Sequence, residues 1–90
     1  MIYFIRCGAK GPIKIGFSAS NPLARLGSMQ TAHHVTLTLV ACMEGTGADE
    51  KSLHARFKHL RLRGEWFRPQ PDLVAFIRET EKIDIASLRP

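Results

Sequence analysis

Short apolar runs with a period of two, broken by Gly and Pro, alternate along the chain with stretches whose apolar residues recur every three or four positions. Residues 2–7 (Ile-Tyr-Phe-Ile-Arg-Cys) are aromatic and β-branched and predict a strand. Gly8, Gly11 and Pro12 bracket a turn, and Ile13 to Phe17 form the returning strand, with Ile13, Ile15 and Phe17 on one face and Lys14 and Gly16 on the other. An even-numbered connection pairs Tyr3 near Gly16 and Ile5 near Lys14, which makes Tyr3 and Lys14 diagonal neighbours on one face; an odd one separates them. Ser20 or Asn21 can cap a helix opened by Pro22, with Leu23, Leu26 and Gln30 along one side, Met29 at its margin and Arg25 beside Met29. Val35 to Met43 alternates again and predicts a third strand, central to the sheet, with Val35, Leu37, Leu39, Ala41 and Met43 on one face. A second helix is expected from about Gly47 to Leu60, buried through Leu53, Phe57 and Leu60. Glu50, His54, Lys58 and Arg61 make a narrow polar stripe beside that apolar one, where a helix meets the edge of a cleft. Gly64 to Phe67 is a short strand or turn, and Pro71 opens a last helix with Leu73, Phe76 and Ile77 inward. The order β-β-α-β-α-α is that of an α+β domain spanning residues 1–83, followed by a tail, 84–90, that is loose or docks weakly.

Ninety residues hold one domain and one core, of modest stability. No stretch approaches the roughly 20 apolar residues of a membrane span, and the apolar run Met1–Ile5 is too short for a secretory signal, so a cytoplasmic protein is expected. Cys7 and Cys42 lie far apart with no further cysteine beside them, which argues against a structural zinc and for two buried free thiols. Lys and Arg number 13 against 8 acids, a net charge of +5 that favours polyanionic partners. Distribution sharpens the signal. Lys51, Arg56, Lys58, Arg61, Arg63 and Arg68 crowd one stretch opposed there only by Glu65, which predicts a phosphate-docking face.

Met1-Ile2-Tyr3 and Lys14-Ile15-Gly16, Arg25 in the next helix, Glu50 opening the one after, and Gly64-Glu65-Trp66-Phe67 form an ordered set. Together they resemble the GIY-YIG nuclease family, in its phage and bacterial branch, over roughly residues 1–78. Met1 stands where that family usually has glycine, and Lys14 where it has a second tyrosine that contributes to catalysis in the better-known members. The resemblance implies a small three-stranded antiparallel sheet flanked by helices and an endonuclease that hydrolyses DNA phosphodiesters. It also implies a single Mg²⁺ or Mn²⁺ anchored by Glu50, a phosphate clamp in Arg25 and a general base in Tyr3. Hard cations keep several waters, so one protein carboxylate can suffice when phosphate is present. A phenol is only about a thousandth ionised at neutral pH and needs positive neighbours to act as a base, a part Lys14 can play from the shared face.

His54 is a group that supports the site or touches phosphate, or a structural histidine; His33 and His34 are alternatives for an additional catalytic residue. Glu65 either assists the metal or pairs with an arginine. Gly16 and Gly64 serve backbone geometry or close approach, and Trp66 and Phe67 close the core. Lys51, Lys58, Arg61, Arg63 and Arg68 are the expected nucleic-acid contacts. The partner is DNA, with RNA as the alternative polyanion, and no membrane; a homodimer or a targeting protein would supply specificity, because no helix-turn-helix, zinc finger or long basic arm is present. Two other functions fit the same residues: a binding module that has lost cleavage through Lys14, and a small basic domain that meets an acidic protein.

Overall fold

The computed structural model describes residues 1–89. It is an α+β fold built on a five-stranded antiparallel sheet in the order β3-β1-β2-β5-β4. The strands are β1 (Ile2–Cys7), β2 (Ile13–Phe17), β3 (Leu37–Met43), β4 (Arg61–Arg63) and β5 (Trp66–Phe67). Three helices, α1 (Pro22–Gln30), α2 (Gly47–Arg56) and α3 (Pro71–Glu79), cover its two faces. No helix among the described residues is long and apolar enough to cross a membrane.

The first hairpin has the even register. Tyr3 pairs with Gly16 and Ile5 with Lys14, and Cys7 N–H donates to the Pro12 carbonyl at 2.9 Å to close the turn. Period-two alternation therefore sends the two faces of β1 and β2 into separate cores. Ile2, Phe4, Ile13 and Ile15 meet Leu53 of α2, Leu73 of α3, Phe57, Leu60 and Phe67 on one side. Tyr3 and Ile5 meet Leu37, Leu39 and Cys42 on the other, closed by Leu23, Leu26 and Met29 of α1. Each large side chain buried this way contributes about 1.5–3 kcal/mol.

Several expected elements differ. The sheet has five strands rather than three, because Arg61–Arg63 and Trp66–Phe67 form a small hairpin about Gly64, whose φ of 55° is one that L side chains rarely adopt. β3 lies at an edge, not at the centre, and starts at Leu37. Its alternation also breaks: Phe4 pairs with Ala41 but Ile5 with Leu39, so Val40 is an extra, exposed residue in a bulge. Beyond it Ala41 and Met43 turn to the α2–α3 core while Cys42 joins Leu37 and Leu39 on the α1 side. The second helix ends at Arg56, and a 3-10 turn over Lys58–Leu60 turns the chain into β4. The stripe Glu50–His54–Lys58–Arg61 thus stops at His54.

Other details follow local chemistry. Asn21 caps α1 by accepting from Leu23 N–H at 2.9 Å, and Pro22 opens the helix. The tail docks: Ile85 and Leu88 pack on the α1-side core, and Asn21 Nδ2 donates to the Leu88 carbonyl at 2.6 Å. Both cysteine thiols are free.

Candidate functional site

β5 stops three residues short of matching β2, and the candidate site lies at the notch this leaves. Ile13 and Lys14 pair with Phe67 and Trp66. Ile15 N–H still donates to the Glu65 carbonyl at 3.0 Å, but no strand follows beside Gly16 and Phe17. In an antiparallel strand the N–H and C=O of one residue point the same way, so the Ile15 carbonyl also faces the notch. His54 of α2 fills the position: its Nε2 lies 2.8 Å from that oxygen, and its ring packs on Phe67 with centroids 5.2 Å apart. A carbonyl only accepts, so Nε2 carries a proton, and in the tautomer protonated there alone Nδ1 has a lone pair.

Glu50 sits one turn before His54 on the same face of α2. Capping does not occupy it. Asp49 carries the N-terminal capping box instead, its Oδ2 accepting from Thr46 N–H at 2.7 Å while Thr46 Oγ1 accepts from Asp49 N–H at 3.3 Å. Glu50, His54 and Glu65 each offer a ligand atom, and these atoms lie within 4.8 Å of one another.

From the opposite face of the sheet the phenol of Tyr3 reaches across β2. It can do so because Gly16 has no side chain: a Cβ there would come within 2.6 Å of Tyr3 Cε1 and closer still to Cζ and Oη. Burial raises the Tyr3 pKa above that of an ordinary phenol; the Arg25 guanidinium beside it pulls down, while the Glu65 and Glu50 carboxylates push up. Groups carried on both sides of the sheet thus act on one another through the notch, among them Tyr3, Arg25, Glu50, His54 and Glu65.

The family profile of the T5orf172 domain matches residues 1–83. The chain belongs to the T5orf172 domain family. This is a phage-associated family of endonuclease-like type, which makes a nucleic-acid-related activity the natural frame for the site. No curated protein and no solved structure is significantly similar to the chain.

In this T5orf172 domain Lys14 does share the face of Tyr3, yet its ammonium is engaged elsewhere, 3.5 Å from Glu65 and 6.0 Å from the centre of the Trp66 ring. The cation that lowers the phenol pKa is Arg25, not Lys14. Glu65, expected to help a metal or to pair with an arginine, has Lys14 as its partner. Phe67 is fully buried in the core, whereas Trp66 is half-buried, with the His33 ring tilted against it at 5.9 Å between centroids.

The five basic residues expected at nucleic acid are all exposed and are spread over α2, the 3-10 turn, β4 and the position just after β5. Arg63 pairs with Trp66 and so stands on the face of Lys14 and Tyr3. Arg61 folds back, donating from Nε to the Gly64 carbonyl at 2.8 Å. Lys51 lies on α2, Lys58 on the 3-10 turn and Arg68 just beyond β5. An open depression of about 380 Å³ lined by Ser18, Ser20, Ala24, Arg25 and Ser28 adjoins the Arg25 side of the site. One orienting group is invisible in the sequence: the Ile15 carbonyl, which has no side-chain signature.

Proposed function

We propose that this T5orf172 domain is a metal-dependent endonuclease of the GIY-YIG type that hydrolyses DNA phosphodiesters. The observation that supports this most is the convergence at the β2–β5 notch of a phenol, a guanidinium and a Glu-His-Glu cluster, on a chain of net charge +5. Carboxylate oxygens suit a hard divalent ion, and ligands at 2.0–2.2 Å from a metal sit about 3 Å apart when adjacent and about 4.3 Å when opposite. A cluster within 4.8 Å can therefore close on one ion by side-chain adjustment alone. Glu50 would anchor Mg²⁺ or Mn²⁺, which supplies charge neutralisation at the phosphoryl group.

The chain's own residues do the rest. Arg25, exposed on α1, forks onto two phosphate oxygens, for which a planar guanidinium is matched. Its place beside Tyr3 brings the phosphate to the phenol. Tyr3 serves as base in its phenolate form, which the Arg25 guanidinium favours and the Glu50 and Glu65 carboxylates oppose; a bound cation would neutralise those carboxylates, and the phenolate then takes the proton of the attacking water and becomes the phenol. Arg63, Trp66 and Lys14, on successive strands of one face, carry the backbone of the nucleic acid up to the notch.

Nicking of supercoiled plasmid in Mg²⁺ or Mn²⁺ tests the reading, with Glu50→Gln as the control. Loss of nicking in that variant is expected. A parent protein that binds DNA but never nicks it, with either ion, would make this fold a binding module instead.

A further inference from the structure

Glu50, His54 and Glu65 offer more than a one-carboxylate foothold. We propose that all three ligate the ion, so that the site is a two-carboxylate, one-imidazole centre that selects Mn²⁺ or a similar transition ion over Mg²⁺; this rests on the metal-dependent nuclease reading.

Four observations carry it. Glu50 and His54 are four residues apart on α2, so both side chains rise from one face of one helix. Glu65 enters from the turn just before β5, and its ligand atom falls within 4.8 Å of theirs. The imidazole is oriented as metal-ligating histidines are, with one ring nitrogen tied to a backbone carbonyl, here Nε2 to Ile15 at 2.8 Å, and the other left with a lone pair. Phe67 holds the ring from the side. His54 is thus fixed by the sheet itself rather than by a neighbouring ligand.

The donor set decides the metal. Mg²⁺ dehydrates reluctantly and favours oxygen, whereas imidazole suits Mn²⁺, Fe²⁺, Co²⁺ and Zn²⁺ increasingly well along the series. A nitrogen in the first coordination sphere therefore discriminates against Mg²⁺. Lys14 adds a second feature. Its ammonium stands 3.5 Å from Glu65 and competes for the carboxylate that the ion would take. Arrival of the ion would release Lys14, which faces Trp66 and the face along which the nucleic-acid backbone approaches. Metal loading and the readiness of that cation for phosphate are then one event.

Pulsed EPR of the full chain loaded with Mn²⁺ tests the nitrogen ligand without any variant. A ¹⁴N coupling that converts to ¹⁵N when histidine alone is labelled is expected. Titration of Mn²⁺ by EPR or calorimetry should show roughly 10–100-fold weaker binding in His54→Ala and in Glu65→Gln, and somewhat tighter binding in Lys14→Met. Thermal melts identify variants that have lost the fold, and for those the labelling experiment alone decides. Mn²⁺ that binds through Glu50 but shows no histidine coupling overturns the three-ligand centre and leaves the Glu50-anchored nuclease standing. No Mn²⁺ binding at all overturns both.

Discussion

Adding a single methyl group at Gly16 is expected to damage stability and function together, for one reason. The new Cβ would lie 2.6 Å from Tyr3 Cε1 and nearer still to Cζ and Oη, well inside any real carbon–carbon contact. Neither partner has room to yield. Tyr3 is 2% exposed, and the backbone of Gly16 is pinned by its pairing with Tyr3 itself. Overpacking of this kind costs about 1–3 kcal/mol. For a domain of this size each kcal/mol lowers the melting temperature by about 4–8 °C, so Gly16→Ala should melt about 4–24 °C below the parent. Tyr3→Leu removes the three phenol atoms in the way, and a double-mutant cycle followed by circular dichroism isolates their contribution. Gly16→Ala should cost at least about 1 kcal/mol less in the Tyr3→Leu background than in the parent. Equal costs in the two backgrounds would refute the idea that Gly16 exists to let the phenol through.

Tyr3 is the chain's one tyrosine, so absorbance near 295 nm follows it alone. Its titration should have a midpoint above the usual phenol value of about 10, move higher still in Arg25→Ala and fall back in Glu65→Gln. Because the folded pKa is the raised one, the associated stability is fully present below about pH 10 and is lost as pH rises through the folded value. For nucleic acid, Arg63→Ala should weaken binding to all sequences alike and reduce the slope of log affinity against log salt by about 1; an unchanged slope would remove Arg63 from the interface.

Much of this arrangement is legible in the residue pattern alone. The hairpin register follows from period-two alternation once the turn is even, and it places Tyr3, Lys14 and Gly16 together. Asn21-Pro22 marks a helix start by capping chemistry that is local and so visible in local sequence. What the pattern misses is non-local. Val35–Met43 alternates cleanly on paper, but the bulge at Val40 arises from how β3 meets β1, and it reverses which residues face which core. Arg61 reads as the end of a helical stripe because nothing in its own neighbourhood announces that the chain turns at Phe57 and pairs Arg61–Arg63 with β5. The candidate site divides in the same way. Tyr3, Arg25 and Glu50 can be named from the family resemblance that the ordered motifs carry, whereas the Lys14–Glu65 pair and the Ile15–His54 contact depend on where β5 stops.

That stopping point has a consequence of its own. β5 pairs with β2 through only two residues, and the acceptor that a longer β5 would claim next is the Ile15 oxygen already held by His54. Growth of the sheet and assembly of the cluster meet at a single carbonyl oxygen. Lengthening the small hairpin by even a pair of residues would perfect the ladder, shut the aperture between the two layers of helices and silence whatever chemistry passes through it.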